Sequence, residues 1–222
     1  KLTNYEGGLK IPFIISYPEE IKEKGTSRKE LISIIDILPT VLDLTGSSVD
    51  FNLPGRSLMD LFNGKDNSDP WRSYLAADGE GASPVFYFPR RSIRGKQYKL
   101  IHNIDVGRVD FPAFHAYADP DFGSGATIEE IMEADERIQK AYKLWKNPPE
   151  WELYDLLNDP WEFENIANNP EMENVLEVMK DALLDWRKDT NDPFLSRDKL
   201  RKFTYEMDSI NTLYPNHSYR GI

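Results

Sequence analysis

Apolar residues come in runs of changing period along the chain, and the period predicts the elements. The stretch Ile11-Pro-Phe-Ile-Ile-Ser-Tyr17 is almost continuously apolar and ends at Pro18. That pattern predicts a short strand buried on both faces, as in a parallel sheet. After a polar, lysine-rich loop containing Gly25, LISIIDILPTVLDLTG predicts a second buried strand over 31–35. A helix capped by Asp36 should follow, running to Leu44 and stopping at Gly46. Pro39 is admissible there only in the first turn. FNLPGRSLMDLFNG repeats the logic with a Pro-Gly turn, a short helix from about Ser57 and a stop at Gly64.

From Trp71 onward the runs shorten. RSYLAAD, PVFYF and RSIRGKQYKLIHNI predict the strands of an antiparallel meander, with a hairpin turn at Arg94-Gly95-Lys96. Residues 106–125 mix Pro, Gly, Asp and aromatics without a period and predict a long ordered loop. Thr127 and Glu130 form a capping box ahead of an amphipathic helix that should end at Pro148. WELYDLLNDP reads as an edge strand followed by an Asn-Asp-Pro turn. The clearest helix covers 171–188, with Val175, Leu176, Met179, Leu183 and Trp186 on one stripe that should cover a face of the meander. Burying that stripe contributes on the order of 10 kcal/mol before entropy is subtracted. The polar and aromatic tail after Pro193 is expected to wrap the surface or stay mobile.

Composition narrows the function classes. The chain has 222 residues, 40% of them hydrophobic, enough for a sizeable core. A formal net charge of -11 argues against a general nucleic-acid or anionic-membrane binder, because polyphosphate binding needs a basic field. With no cysteine there are no disulfides, no thiolate metal sites and no cysteine nucleophile. No run approaches eighteen apolar residues. The first residues lack the basic and apolar regions of a secretory leader, so any export signal is expected to have been removed or left off. One local basic cluster stands out: Arg90, Arg91, Arg94, Lys96 and Lys99 fall within ten residues that hold no acidic side chain. Its ordinary reading is a solvated face of a hairpin.

Candidate chemistry begins at Lys1. The adjacent Gly7 and Gly8 permit close backbone approach or positive φ just before a core strand, at the kind of edge where α/β proteins place ligands. His102, in the apolar run KLIHNI, reads as a satisfied core histidine, whereas His115 lies in the irregular loop FPAFHAYADP, where it is a candidate to line a pocket. Trp145, Trp151, Trp161 and Trp186 read as packing residues, not as a sugar-stacking platform.

Four blocks in order, KLTNYEGGLKIP, DILPTVLDLTG, LPGRSLMDLFNG and ELYDLLNDPWEFENIANNP, resemble the later part of the formylglycine-dependent sulfatases. In that family a lysine four residues before Tyr-Glu-Gly-Gly leads into a core strand. RRSIRGKQYKLIHNIDVGRVDFP, WELYD and DWRKDTNDPF are most similar to the heparan N-sulfatase, or sulfamidase, branch. Lys1 departs from that branch, which can carry arginine there; arginine binds sulfate as a bidentate fork and lysine as a point charge.

The resemblance implies an α/β (α+β) fold: the end of an alkaline-phosphatase-like core over 1–68 and a C-terminal subdomain over 69–195, followed by a tail over 196–222. The subdomain should hold a small antiparallel sheet packed by a long helix. Lys1 would hold a non-bridging sulfate oxygen and stabilise charge as the bond to sulfur breaks. Arg91, or its neighbour Arg90, would bind a carboxylate or sulfate of a glycosaminoglycan unit, and Glu80 and His115 are further substrate candidates. The nucleophile, a formylglycine made within a Cys/Ser-x-Pro-x-Arg pattern, and the calcium ligands are expected upstream, with no metal site or cofactor here. The chain should then be inactive alone, with the strands at 11–17 and 31–35 exposed, poorly ordered or self-associating for want of neighbours. Its partners would be a sulfated amino sugar or oligosaccharide and the catalytic part before Lys1. Family membership implies an exported or lysosome-like location. Alternatives are an O-sulfatase such as an N-acetylglucosamine-6-sulfatase, a phosphodiesterase of the same superfamily, and a non-catalytic carbohydrate-binding module.

Overall fold

The computed structural model describes residues 3–21, 25–64, 71–80, 84–108 and 126–213. In chain order the helices are α1 (Glu6–Leu9), α2 (Ile37–Thr45), α3 (Met59–Phe62), α4 (Ile128–Glu133), α5 (Glu136–Lys146), α6 (Glu173–Asp189) and α7 (Arg197–Leu213). The strands are β1 (Leu75–Gly79), β2 (Arg90–Arg94), β3 (Tyr98–Asn103) and β4 (Trp151–Asp155). Two compact units result, one of Ile11–Leu75 and one of Lys1–Lys10 with Ala76–Ile222.

The unit of Ile11–Leu75 is organised by one carboxylate. Asp36 is wholly buried and ends a 3-10 turn, Ile34–Asp36, that leads into α2. Its Oδ2 accepts from the Ser33 amide and its Oδ1 from the Arg56 amide, each at 2.8 Å. Arg72 closes a bidentate pair, Nη1 to Oδ2 and Nη2 to Oδ1, both at 2.8 Å, and also reaches the Leu31 carbonyl. Burial raises the Asp36 carboxyl, but the bonds from Arg72, Arg56 and Ser33 outweigh it and hold the group below the usual carboxylate range. Thr40 links α2 to α3, accepting from the Leu58 amide at 2.9 Å. Beside this hub Leu58, Phe62 and Trp71 form the apolar centre, with Phe13, Ile21 and Ile32 packed on it. Gly46 ends α2 with φ at 63° and Pro39 lies in the first turn, both as the pattern required.

The other unit is built on a four-stranded sheet in the order β1-β2-β3-β4. Strands β2, β3 and β4 pair antiparallel, with Arg94 opposite Lys99 and Lys99 opposite Tyr154. Alternation therefore sorts the strand residues onto two faces. Arg91, Ile93, Leu100, His102 and Leu153 share the face that α6 covers. Met179 and Leu183 of α6 are buried there, while Val175, Leu176 and Trp186 are half-buried. The opposite face carries Arg90, Ser92, Arg94, Lys99, Asn103 and Glu152 and is polar almost throughout.

Several expectations are corrected. Residues 11–17 and 31–33 are not strands, and Ile14 is 90% exposed and Ile34 62%. A fully apolar strand needs hydrogen-bonding neighbours on its edges, and among the described residues none pairs with either run. Asp36 holds the helix N-cap position, but its carboxylate is drawn to Arg72 instead of capping. Pro84–Phe86 is a 3-10 turn, so β1, which falls in the predicted RSYLAAD strand, lies directly beside β2 with no PVFYF strand between them. The Thr127–Glu130 capping box forms in both directions, yet the helix breaks at Ala134. There Asp135 accepts from the Ile138 amide and caps a second helix. The described part of the tail holds a 17-residue helix, α7, because Leu200, Phe203 and Met207 repeat at helical spacing. Trp161 is 76% exposed and is no packing residue. Most of the predicted 106–125 loop lies outside the described residues.

Asp36→Asn should cost roughly 3–5 kcal/mol, the usual effect of removing one partner of a buried pair. With the folded-state carboxyl depressed, its contribution is present above the unfolded value near 3.9 and is lost as pH falls through the folded one. Denaturant titrations between about pH 7 and pH 3 should show the acid-side loss of stability shrinking in Asp36→Asn; an unchanged curve overturns this role.

Candidate functional site

The polar face of the sheet is covered by the start of the chain. Asn4 donates to Ser92 Oγ at 2.9 Å and to the Ala77 carbonyl at 3.4 Å. A side chain at Gly79 would put a Cβ 2.1 Å from Asn4 Oδ1, so glycine there is what admits Asn4. Tyr5 lies edge-on to Tyr154, ring centroids 6.1 Å apart, and donates to Glu152 Oε2 at 2.8 Å. Tyr154 donates to the same oxygen at 2.5 Å, while Asn103 donates to Glu152 Oε1 at 2.7 Å. Burial, reinforced by the Glu152 charge, pushes the Tyr5 hydroxyl well above its ordinary value; Tyr154 is also raised, by burial first.

Glu6 completes the attachment. Lys99, with no exposed surface, sits 3.3 Å from Glu6 Oε1 and 2.9 Å from Glu162 Oε1. Arg94 Nε donates to both Glu6 oxygens at 3.2 Å, and the Glu6 amide donates to Glu162 Oε2. Glu162 reaches this position from a left-handed backbone, φ 59°, after the Asp159-Pro160 turn. Burial raises its carboxyl, and Lys99 opposes that rise. Just after Glu6 the chain turns once as α1, and Gly8 packs where a Cβ would meet the Thr3 carbonyl oxygen at 2.3 Å. This close approach is the use of Gly8; a Cβ at Gly7 would meet nothing within 4 Å, and neither glycine needs positive φ.

On the α6 face, Arg91 is buried and grips Asp192, Nε to Oδ2 at 3.0 Å and Nη2 to Oδ1 at 2.8 Å. Its Nη2 also donates to Glu80 Oε1 at 2.9 Å and its Nη1 to the Arg90 carbonyl. Arg187 of α6 donates to Asp192 Oδ2 at 2.6 Å. Burial raises Asp192, but Arg91, the Phe194 amide and Arg187 outweigh it and hold the carboxyl near 2. His102 stacks on Trp151 at 4.0 Å and lies 3.4 Å from Arg187 Nη1. Burial and the neighbouring Arg187 and Arg91 charges lower it to about 4, so it is a neutral core histidine. Outside this cluster opens a shallow groove of about 240 Å³, lined by Glu80, Phe194, Lys199, Lys202, Phe203 and Glu206.

The predicted residues separate accordingly. Lys1 and His115 lie outside the described residues. Arg90 is buried with its guanidinium 4.4 Å over the Phe88 ring, and Arg91 is engaged by carboxylates of its own chain. Of the three that are described, Glu80 alone faces the groove. The basic cluster is not a solvated hairpin face, since Arg90, Arg91 and Lys99 are all buried. Reading by sequence missed Glu6, Glu162, Asp192, Lys199 and Lys202. The signal was available in a basic cluster with no local acids, which must draw its counter-charges from elsewhere if it is buried.

The Cys/Ser-x-Pro-x-Arg pattern, expected only upstream, is also spelled within the chain by Ser68-Asp-Pro-Trp-Arg72. Ser68 lies outside the described residues, and Arg72 is committed to Asp36. Among the described residues no three His, Asp or Glu side chains converge as a metal-ligand set.

Comparison with known proteins accords with these features. The family model described as "N-sulphoglucosamine sulphohydrolase, C-terminal" matches residues 1–121 and 114–189. An ulvan-active sulfatase of Formosa agariphila is 31% identical over 196 residues, 86% of this chain and 36% of the relative. Human N-sulphoglucosamine sulphohydrolase is 28% identical over 207 residues, 86% of this chain and 39% of the relative. The chain thus spans somewhat over a third of these relatives. A solved protein in complex with its substrate D-glucosamine-2-N,6-O-disulfate aligns with a TM-score of 0.48 at 22% identity, covering 72% of this chain and 25% of that one. With its Tyr-Glu-Gly-Gly loop bound to an antiparallel sheet and its family model matched over most of its length, the chain belongs to the N-sulphoglucosamine sulphohydrolase C-terminal family of sulfatases.

Proposed function

We propose that this chain is the C-terminal part of a sulfatase that removes sulfate or sulfamate from an amino sugar of glycosaminoglycan type, N-sulfoglucosamine being favoured. The observation that carries this reading is the attachment of Asn4, Tyr5 and Glu6 to the sheet, which holds the loop on which the resemblance places the sulfate lysine. Lys1 pairs with a non-bridging sulfate oxygen and offsets the charge that grows as the bond to sulfur breaks. The formylglycine nucleophile and calcium belong to segments preceding Lys1, so the chain does not turn over substrate alone. The exposed Ile14, Ile34, Leu38 and Val41 are consistent with an apolar edge that those segments cover.

Glu80 supplies the substrate contact of the C-terminal wall. Arg91 holds one of its oxygens at 2.9 Å and leaves the carboxylate 30% exposed at the groove. It can accept from sugar hydroxyls or an amino nitrogen, with Lys199 and Lys202 beside it as partners for anionic substituents. A second reading, cleavage of an O-sulfate ester on another polysaccharide, has support from the similarity to the ulvan-active sulfatase. Sulfate release by the full-length protein from N-sulfoglucosamine and from ulvan oligosaccharides separates the two.

In the full-length protein Lys1→Ala should lower sulfate release about 10²- to 10³-fold, as for loss of one transition-state donor, with the melting temperature unchanged; undiminished turnover removes Lys1 from the chemistry. Glu80→Gln should raise KM several-fold, about 1 kcal/mol of binding, with kcat nearly constant. A kcat loss at constant KM would instead move Glu80 out of substrate binding. Ser68→Ala should leave turnover intact, because Arg72 of that pattern is committed to Asp36. Lost activity, together with formylglycine at Ser68 by mass spectrometry, would place the nucleophile within this chain.

A further inference from the structure

We infer that Glu6 is a positioning residue: clamped by Lys99, Arg94 and Glu162, it fixes the loop that carries Lys1 and thereby sets where the lysine charge falls. The inference rests on the sulfate role proposed for Lys1. Lys1 lies three residues before Asn4, so the chain between them reaches at most about 11 Å from an anchored point. A lysine on an unanchored segment would spread its charge over that whole radius. Anchors at Asn4, Tyr5 and Glu6 use three successive residues and together grip all four strands and a turn: β1 and β2 for Asn4, β4 for Tyr5, and β2, β3 and the Glu162 turn for Glu6.

The chemistry of the clamp favours geometry over stability. Lys99 has no exposed surface and Glu162 almost none, so neither charge can be screened or relocated by water. Glu6 bridges this buried pair to Arg94, whose side chain is 25% exposed. Two cations therefore face two carboxylates, and the Glu6 backbone amide is held by Glu162 as well as its side chain by Lys99. Side chain and main chain of one residue are both fixed, which immobilises the peptide rather than the side chain alone. Glu6→Gln is the informative change, because Lys99 keeps Glu162 and Arg94 has access to water; the sheet keeps its folded partners.

The test is a kinetic cycle in the full-length protein with Lys1→Ala, Glu6→Gln and the double variant, joined to amide exchange on the 222-residue chain. Glu6→Gln should lower kcat about tenfold or more, in the range that ångström-scale misplacement produces, with KM for N-sulfoglucosamine within about twofold. In the Lys1→Ala background the same change should cost nothing further, since it acts through the lysine. The Gly8, Leu9 and Lys10 amides, which close α1, should exchange about tenfold faster in Glu6→Gln while Leu100 and Ile101 are unchanged. If Lys1→Ala retains full turnover, the sulfate-lysine reading fails. If Lys1→Ala is impaired while Glu6→Gln is not, or the two losses add, the positioning inference alone falls. Unchanged exchange at α1 also overturns it.

Discussion

Lys99 is the constraint around which the larger unit is arranged. An ammonium with no exposed surface must have carboxylates brought to it, because leaving it unpaired in a low-dielectric interior costs several kcal/mol. Neither carboxylate is close in sequence: Glu6 lies 93 residues before it, and Glu162 lies beyond β4 on a turn that adopts a left-handed conformation to reach it. Satisfying one side chain therefore ties the first residues of the chain, the middle strand of the sheet and the turn after its last strand into one arrangement. Such a cluster adds little net stability over an apolar core but penalises any alternative docking of the loop, which would strand a buried charge.

The two faces of the sheet are stabilised by different physics. On one, α6 contributes Met179 and Leu183, and burial of apolar area dominates. The other is held by hydrogen bonds among Tyr5, Glu152, Tyr154 and Asn103 together with the Glu6 clamp, and Ile101 is its main apolar element. The helix-covered face still has one polar seam at its edge, where Arg91 and Arg187 converge on Asp192. This seam is insensitive to ordinary pH changes, since Asp192 stays ionised down to about 2 and His102 stays neutral down to about 4.

In the smaller unit, apolar surface and function diverge. Asp36 and its bonds to Arg72, Arg56 and Ser33 hold α2 to the turn before α3, so a polar hub defines the shape, and Leu58, Phe62 and Trp71 fill the space beside it. The most apolar stretch of the chain, 11–17, contributes little to that centre beyond Phe13. Its composition suits a strand, but composition cannot provide neighbouring strands.

By itself the sequence determined what local chemistry decides. The β2–β3 hairpin, the β4 edge strand, the Thr127 capping box, the α6 stripe and the Gly46 stop all follow from periodicity, caps and backbone preference within a few residues. The four family blocks, which name a chemistry more specifically than any single residue does, were legible there as well. Tertiary structure alone decided which cations of the 90–99 cluster are buried and what they pair with, because the period of two in a strand sends Arg91 to one face and Lys99 to the other, and their partners Asp192, Glu80, Glu6 and Glu162 lie 11 to 101 residues away. An acid-free basic cluster shows locally that counter-charges are needed if it is buried, but not which distant residues supply them. For that reason Arg91 reads as a substrate arginine in sequence and sits in the fold as the support of Glu80.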